Sequence, residues 1–413
     1  MKATSGQKSI LTTITLKTIS SLAILKITAF AFGTTGIALL AHFQNLIGII
    51  THLSREGINR GVNKLINNNK IVSNKKGKII LSGFFYSTLL QILSLAIVFL
   101  FKSFFLKHFT LHLSTTSFYL IFGISVLVYG ICIFFSAIVY SLKKLRFYLI
   151  INIVGAVLLL AAVVYGSRQQ YLDFFLLAYA IGQAANFIVI LSVAYKIKIT
   201  ERNKNTVSKS TLSQLSGLLL MAFSVLLFTK LVDFFVRDYA IEAFGLHYTG
   251  IWQAVVKLSN TYMDIFIATV GSVYYPKISS LIFNSNHLRK YLREMLAIVL
   301  PFSVIGLLAL YLFRDMAIMV FFNQDFKEAA HLFRFQLIGD FFSIISYLLT
   351  FIIVAQARTV LFILLQAGSA LFYIGLVLLL SQWHSIEAIP LAHAIRFGIF
   401  LIVLIILNKR MLF

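Results

Sequence analysis

The chain is poor in the residues that characterise secreted and soluble domains. It has one cysteine, Cys132, which excludes a disulfide within the chain and leaves its redox compartment undetermined. Only 12% of its residues are charged, whereas about 25% is typical of a soluble globular domain. There are 13 acidic residues and 3 prolines. This composition excludes an ordinary soluble globule.

Apolar residues dominate instead. They make up 60% of the 413 residues, and the mean hydropathy is +0.92. Several runs of about 20 apolar residues are long enough to cross a hydrocarbon layer roughly 30 Å thick as helices. The first run has no small-residue cleavage site followed by a mature domain, so we expect it to remain as a helix. The sequence predicts an all-α polytopic membrane protein.

We predict twelve transmembrane helices in two six-helix bundles around a central cavity. The predicted spans are 9–32, 37–54, 79–101, 117–141, 147–166, 173–195, 212–236, 250–275, 294–313, 332–354, 359–380 and 387–407. Lysine and arginine are concentrated in the connectors on one side of these spans. By the positive-inside rule that side is cytoplasmic, and both termini lie there.

The net charge of +23 does not indicate a nucleic-acid partner. Most of the cations lie in short connectors beside the membrane spans. In that position they set the topology and attract anionic membrane lipids.

The most polar connector, residues 196–210, divides the chain almost in half. We therefore predict an N-terminal six-helix lobe over 1–200, a cytoplasmic linker over 201–211 and a C-terminal six-helix lobe over 212–413. Two such halves in the same orientation would be related by an axis along the membrane normal.

A short internal repeat supports this division. Phe32-Gly33 precedes the second span of the first half, and Phe244-Gly245 precedes the second span of the other half. So short a match is informative because of its position. Each pair precedes the second predicted helix of its half.

One predicted span, within residues 250–276, is unusually polar. Its polar residues follow one helical stripe, namely Gln253, Lys257, Asn260, Thr261 and Asp264. Charges at mid-membrane are costly and normally face a protein interior or a wet cavity. Two interpretations stay open: Lys257 and Asp264 belong to an ion pair that locks neighbouring helices, or they line a cavity.

Other ionisable residues also fall inside spans. The cations that we expect to bind an anionic cargo are Lys17, Lys26, Lys257, Arg334 and Arg396. The candidates for carrying a coupling ion are His42, His52, Asp264 and Asp340. Cations outnumber carboxylates in this deep set, which fits a phosphate or diphosphate cargo. In the alternative interpretations, Lys17 snorkels to the inner surface and the histidines are hydrogen-bonded packing residues.

Six stretches spread over nearly the whole chain carry a family resemblance. They are 26–36 (KITAFAFGTTG), 57–64 (GINRGVNK), 250–255 (GIWQAV), 272–276 (SVYYP), 314–318 (RDMAI) and 335–340 (FQLIGD). Together they resemble the Wzx flippases of the O-antigen and enterobacterial-common-antigen branch. These belong to the multidrug/oligosaccharidyl-lipid/polysaccharide exporter superfamily.

The resemblance implies two lobes of six helices that work by alternating access. It implies a cargo of undecaprenyl-diphosphate-linked repeat units, moved from the cytoplasmic to the periplasmic leaflet of the bacterial inner membrane for lipopolysaccharide O-antigen or a related surface glycan. Proton or sodium coupling is suspected for the family. The implied partners are this lipid-linked glycan, an O-antigen polymerase and a chain-length regulator.

The resemblance also holds at single positions. The family has the same residue type at Lys17, Lys26, Lys64, Arg314 and Asp340. This chain departs from the family pattern at Gln44, where the family is expected to have a basic residue. It also departs at Lys257 and Asp264, where the family is expected to have no charge. Those two charges reflect either the chain's own glycan or a local ion pair.

Catalytic signatures are missing from the sequence. It contains no P-loop, no GxSxG motif and no metal-ligand spacing. We therefore predict a transporter without catalytic residues, cofactor or metal. The alternatives are a cation-coupled multidrug exporter, which would favour an acidic or aromatic cavity, and an O-antigen polymerase, which needs a sizeable outer loop.

Overall fold

The computed structural model describes nearly all of the hydrophobic part of the chain. The described residues are 5–67, 73–109, 115–197, 219, 220, 222–383 and 385–412. Within these ranges every regular element is a helix. The predicted all-α class is therefore confirmed.

The first eight helices precede residue 198. They are α1 (Ser5–His52), α2 (Asn59–Ile66), α3 (Ser73–Leu100), α4 (Lys102–Phe105), α5 (Thr115–Ser141), α6 (Leu145–Arg168), α7 (Leu172–Ala185) and α8 (Phe187–Ile197). After the partly described helical residues 219–225, the helices whose bounds are described are α9 (Val232–Thr269), α10 (Tyr275–Leu281), α11 (Ser285–Leu312), α12 (Arg314–Phe321), α13 (Ala329–Ala355), α14 (Thr359–Leu380), α15 (Ala388–Leu407) and α16 (Lys409–Leu412). Three π-helical segments join them, Leu53–Ile58, Leu226–Leu231 and Val270–Tyr274, together with a 3-10 turn at Gln324–Phe326.

Nine helices in the described ranges are long and apolar enough to cross a membrane. One of them, Thr12–His52, is 41 residues long and contains the first two predicted spans. The polar helix α9 is not among the nine. The multi-pass membrane class is thus supported, and the count of twelve spans stays a prediction.

Two glycines interrupt the longest helices at the positions of the predicted repeat. Gly33 has φ 59° and ψ −149° within α1, and Gly245 has φ 79° and ψ 168° within α9. Side chains rarely allow this combination of angles, which is close to glycine-only territory. The sequence repeat therefore marks a shared backbone geometry.

The likeness between the two halves continues beyond the glycines. After Gly33 the helix runs to His52, enters the π-helical segment Leu53–Ile58 and continues as the short helix α2. After Gly245 the helix runs to Thr269, enters the π-helical segment Val270–Tyr274 and continues as the short helix α10. The same sequence of kink, long helix, π turn and short helix thus occurs twice.

The chain divides into two compact units. The first contains residues 1–32 and 39–234, and the second contains 33–38 and 235–413. The predicted linker 201–211 lies outside the described residues, so the division into lobes at that linker stays a prediction.

Small residues bring neighbouring helices of the first unit close together. A Cβ atom on Gly166 of α6 would lie 2.7 Å from Cβ of Ala178 on α7. One on Gly182 of α7 would lie 2.8 Å from Cβ of Ala162 on α6. Such contacts are typical of membrane helices, where close backbone approach drives packing.

The core of the second unit surrounds Tyr274. This side chain is 1% exposed, and its hydroxyl donates to the carbonyl oxygen of Leu348 at 3.1 Å. Ile278, Leu288 and Ile352 belong to the same buried cluster. The π segment, α10, α11 and α13 are therefore held together at this end of the unit.

Candidate functional site

Asp340 is the centre of a buried polar cluster in the second unit. The residue lies on α13 and is 2% exposed. Its Oδ2 atom accepts hydrogen bonds from the hydroxyls of Ser259, at 2.6 Å, and Tyr262. Its Oδ1 atom lies 3.1 Å from Nε2 of both Gln336 and His393. We call these five residues the Asp340 cluster.

Helical spacing and one glycine assemble the cluster. Gln336 precedes Asp340 by one turn of α13, and Ser259 precedes Tyr262 by nearly one turn of α9. Gly339 lies where α13 meets α15, and a Cβ atom there would overlap the imidazole ring of His393. It would also lie 3.1 Å from Cα of Ala394. The missing side chain at Gly339 therefore lets His393 reach Asp340.

Donor groups surround the side chain of Asp340. An ionised carboxylate has about four lone-pair directions for donors, and four side chains point their polar atoms at this one. The His393 side chain is 20% exposed, and it forms an ion pair with Asp340 when it is protonated. The cluster thus joins α9, α13 and α15 around one ionisable pair.

Arg396 lies one turn beyond His393 on α15. Its Nε atom donates to the hydroxyl of Ser369 on α14 at 2.8 Å. Its guanidinium carbon is 5.0 Å from the ring centroids of both Tyr373 and Phe397. This is a cation–π arrangement that fixes the plane of the guanidinium next to the Asp340 cluster.

Helix α9 has a second polar face. At about 100° per residue, Lys257 and Asp264 lie on the side of α9 opposite Ser259 and Tyr262. Gln253 at the start of this stripe is buried, Lys257 is half-buried, and Asp264 is exposed. The predicted stripe is therefore separate from the Asp340 cluster.

Arg334 has a partner outside the cluster. Its guanidinium pairs with Glu387 at 3.6 Å, and its side chain is 56% exposed. The guanidinium carbon also lies 4.3 Å from the ring centroid of Phe335. The structure does not bring Arg334 together with the Asp340 cluster.

The predicted residues of the first unit lie apart from one another. Lys17 and Lys26 are both exposed on an uninterrupted stretch of α1, and their nine-residue separation points them to opposite sides. Nζ of Lys26 lies 5.9 Å from the ring centroid of Phe30. The structure does not bring these two lysines into one site.

The two predicted histidines of α1 are embedded in packing. The His42 ring is fully buried and stacks on Phe234 with centroids 4.1 Å apart. The Nε2 atom of His52 lies 3.1 Å from the carbonyl oxygen of Ala222. His42 is thus held by ring packing, and His52 lies against a backbone carbonyl.

Sequence reasoning missed how the cluster is assembled. Ser259 and Tyr262 are on the side of α9 opposite the predicted polar stripe, although their i, i+3 spacing is a visible signal. His393 and Asp340 are 53 residues apart, and nothing in the local pattern of either helix pairs them. At Gln44, the position where a basic residue was expected, the side chain hydrogen-bonds to Tyr179 in the first unit.

Comparisons with known proteins give a partial match in sequence. No known protein-family profile matches the chain. Over 170 residues, the chain is 25% identical to the lipid III flippase of Escherichia coli (strain K12) and to that of Shigella flexneri. The match covers 41% of this chain and 40% of each relative. The similarity therefore spans less than half of those flippases.

The structural likeness covers nearly the whole chain. A multidrug-resistance MATE transporter of the MOP superfamily, in an inward-facing conformation, matches with a TM-score of 0.67 and 12% identity over 97% of this chain and 94% of its own. The lipid II flippase MurJ, in an inward closed conformation, matches with a TM-score of 0.69 and 13% identity over 98% of this chain and 87% of its own. These relatives and neighbours are transporters and flippases, not enzymes. The chain has the all-helical fold that MATE transporters and MurJ share.

Proposed function

We propose that the chain flips undecaprenyl-diphosphate-linked oligosaccharide units from the cytoplasmic to the periplasmic leaflet of the bacterial inner membrane. The observation that carries this proposal is the partial identity to a lipid III flippase, on a fold shared with a lipid II flippase. The expected product is O-antigen or a related surface glycan.

The polar face of α9 supports transport of a hydrophilic headgroup. Asn260 and Asp264 are exposed on this face, in the middle of a predicted span. Exposed amide and carboxylate groups facing lipid would be costly, so such a face belongs beside water or protein. We assign it to the wall of the headgroup path, with Lys257 as a point charge for the diphosphate.

Arg396 is the second cation that we assign to headgroup binding. It is half-buried, and its plane is fixed by Ser369, Tyr373 and Phe397. A guanidinium held in this way can bind a phosphate or an acidic sugar through two parallel hydrogen bonds. Lys17, Lys26 and Arg334 are exposed cations that we keep as weaker candidates for guiding the cargo.

The polyprenyl tail remains in the lipid. Moving it into a polar path would cost about 0.8 kcal/mol for each CH₂ group exposed. A path that accepts only the headgroup is consistent with the polar face of α9 and needs no apolar cavity for the tail.

Deletion and complementation in the source bacterium test this function. Loss of the gene should trap lipid-linked units inside the cell and remove the glycan from the surface. Lys257→Ala and Arg396→Ala should each lower surface glycan at normal protein levels, whereas Lys290→Ala, an exposed lysine of α11 outside the proposed path, should not. Normal glycan in the deletion strain contradicts the proposal.

A multidrug exporter is the second candidate, because the fold also matches MATE transporters. That function predicts increased resistance to cationic drugs when the chain is overproduced, with surface glycan unchanged. A polymerase predicts that unpolymerised single units reach the cell surface in the deletion strain. The three outcomes can be distinguished in the same strain.

A further inference from the structure

We infer that His393 is the ion carrier of the Asp340 cluster, so that the cluster exchanges a proton and does not bind a metal cation. This inference deepens the proposed function, because it names the coupling ion of a site that would otherwise suit either a proton or sodium. It also moves the coupling role from His42 and His52 to His393, which was not among the predicted ion carriers.

The geometry at the carboxylate is the first argument. Each oxygen of Asp340 already has two donors, Ser259 and Tyr262 at Oδ2, and Gln336 and His393 at Oδ1. A metal cation needs free lone pairs on the carboxylate, and here donor groups occupy those directions. The imidazole ring of His393 takes the place that a bound cation would need.

The packing around His393 is the second argument. Gly339 leaves room for the imidazole ring where any side chain would overlap it. The ring also packs edge-on against Phe397, with centroids 4.9 Å apart. Two neighbours therefore direct Nε2 toward Asp340, and the contact is built into the meeting of α13 and α15.

The charged groups around the pair are the third argument. Tyr262 is the titratable group that α9 presents to Asp340, and α13 presents Gln336. On α15, Arg396 is directed to Ser369 and Tyr373 on α14. Lys257 and Asp264 lie on the opposite side of α9. His393 is thus the basic group in direct contact with the carboxylate.

Proton exchange changes the charge of the cluster without breaking it. Protonated His393 and ionised Asp340 together carry no net charge. Release of the proton from Nδ1 to water leaves Nε2–H still donating to Asp340, and the cluster then carries one negative charge. A single buried charge within a span is costly, so protonation favours the conformation in which the cluster is buried.

Infrared difference spectroscopy of the full chain in lipid nanodiscs tests the inference without any glycan substrate. Spectra are compared between about pH 5 and about pH 8, the interval in which histidine changes charge, in choline chloride and in sodium chloride. The wild type should show an imidazole component that is lost in His393→Gln and retained in His287→Gln, an exposed histidine of α11. The carboxylate bands should be the same in both salts.

Two results would overturn the inference. One is an imidazole difference spectrum of His393→Gln that is the same as that of the wild type. The other is a sodium-dependent shift of a carboxylate band that disappears in Asp340→Asn. If His393→Gln does not fold, Gly339→Ala replaces it and should displace the same imidazole component. Since no glycan is involved, failure here leaves the proposed flippase function intact, and failure of glycan export leaves this proton site intact.

Discussion

The hydroxyl of Thr34 and Nδ1 of His247 are joined by a hydrogen bond of 2.9 Å. Thr34 directly follows the kinked glycine Gly33, and His247 lies two residues after the kinked glycine Gly245. Both residues belong to the second compact unit. The two halves of the internal repeat thus contact each other where their helices begin again. Here the backbone of Thr34 also lies against Gly250.

Alanine at either kinked glycine should destabilise the protein through the backbone alone. A Cβ atom added at Gly33 would have one neighbour within 4 Å, Oδ2 of Asp325 at 3.8 Å. A Cβ atom added at Gly245 would have none within 4 Å. The φ and ψ angles remain unfavourable for alanine, at a cost of about 1–3 kcal/mol. Thermal unfolding in detergent should show a lower midpoint for Gly33→Ala and Gly245→Ala. Gly306→Ala, in an open position of a regular helix, should be neutral or stabilising; equal losses in all three would contradict this assignment.

Gly250→Ala should destabilise for a different reason. A Cβ atom at this position would overlap the carbonyl group of Thr34, so the two segments would have to separate. Overpacking of this kind costs about 1–3 kcal/mol, and the loss of the Thr34–His247 hydrogen bond adds to it. The measurement is the same unfolding midpoint, with Thr34→Val to separate the hydrogen bond from the overlap. A midpoint for Gly250→Ala at the wild-type value would show that the segments are not in close contact.

Removing one donor from the Asp340 cluster should be costly, and the cost should depend on the charge of Asp340. Tyr262→Phe deletes a hydroxyl that donates to a buried carboxylate, a hydrogen bond worth about 1.5–3 kcal/mol. In an Asp340→Asn background the same change should cost less, because the acceptor is neutral. A double-mutant cycle of unfolding free energies measures the difference, and fully additive effects would exclude a direct bond.

The pair of Arg334 and Glu387 should contribute little to stability. The two side chains meet at 3.6 Å, with Arg334 exposed and Glu387 partly exposed. Ion pairs in contact with solvent are worth no more than about 1 kcal/mol. Glu387→Ala should therefore leave both the unfolding midpoint and surface glycan unchanged. If Arg334→Ala lowers surface glycan while Glu387→Ala does not, Arg334 contacts the cargo. If both variants have the same amount of surface glycan, Arg334 is no longer a candidate for contacting the cargo.

Local sequence patterns predicted the parts of the fold that depend on single segments. The apolar runs predicted membrane helices, and the Phe-Gly pairs marked the two kinks. The polar stripe of α9 was read correctly as one face. No local pattern indicates which helix packs against which face of another helix. The contact between His393 and Asp340 depends on the packing of α13 against α15, which Gly339 permits, and a glycine within an apolar run gives no sign of its neighbour.

The number of spans illustrates the same limit. Hydropathy predicted twelve, whereas nine helices in the described ranges meet a length and apolarity criterion. Two predicted spans share α1, and the start of the predicted span 212–236 lies outside the described residues. The span within α9 carries the polar residues Gln253, Lys257, Asn260 and Asp264. Polar residues within a span thus weaken the signal by which the span is recognised.

The π-helical turn at Val270–Tyr274 has a consequence for how the surface of this region is mapped. A π turn closes with an i→i+5 hydrogen bond and so holds an additional residue. The angular phase of the side chains before Val270 therefore does not carry over to α10. Cysteine accessibility scanning from 253 to 281 should record two stretches of helical periodicity in accessibility, separated by a slip of one residue. The residues of α10 on the same side as Lys257 are therefore identified from the periodicity of the second stretch.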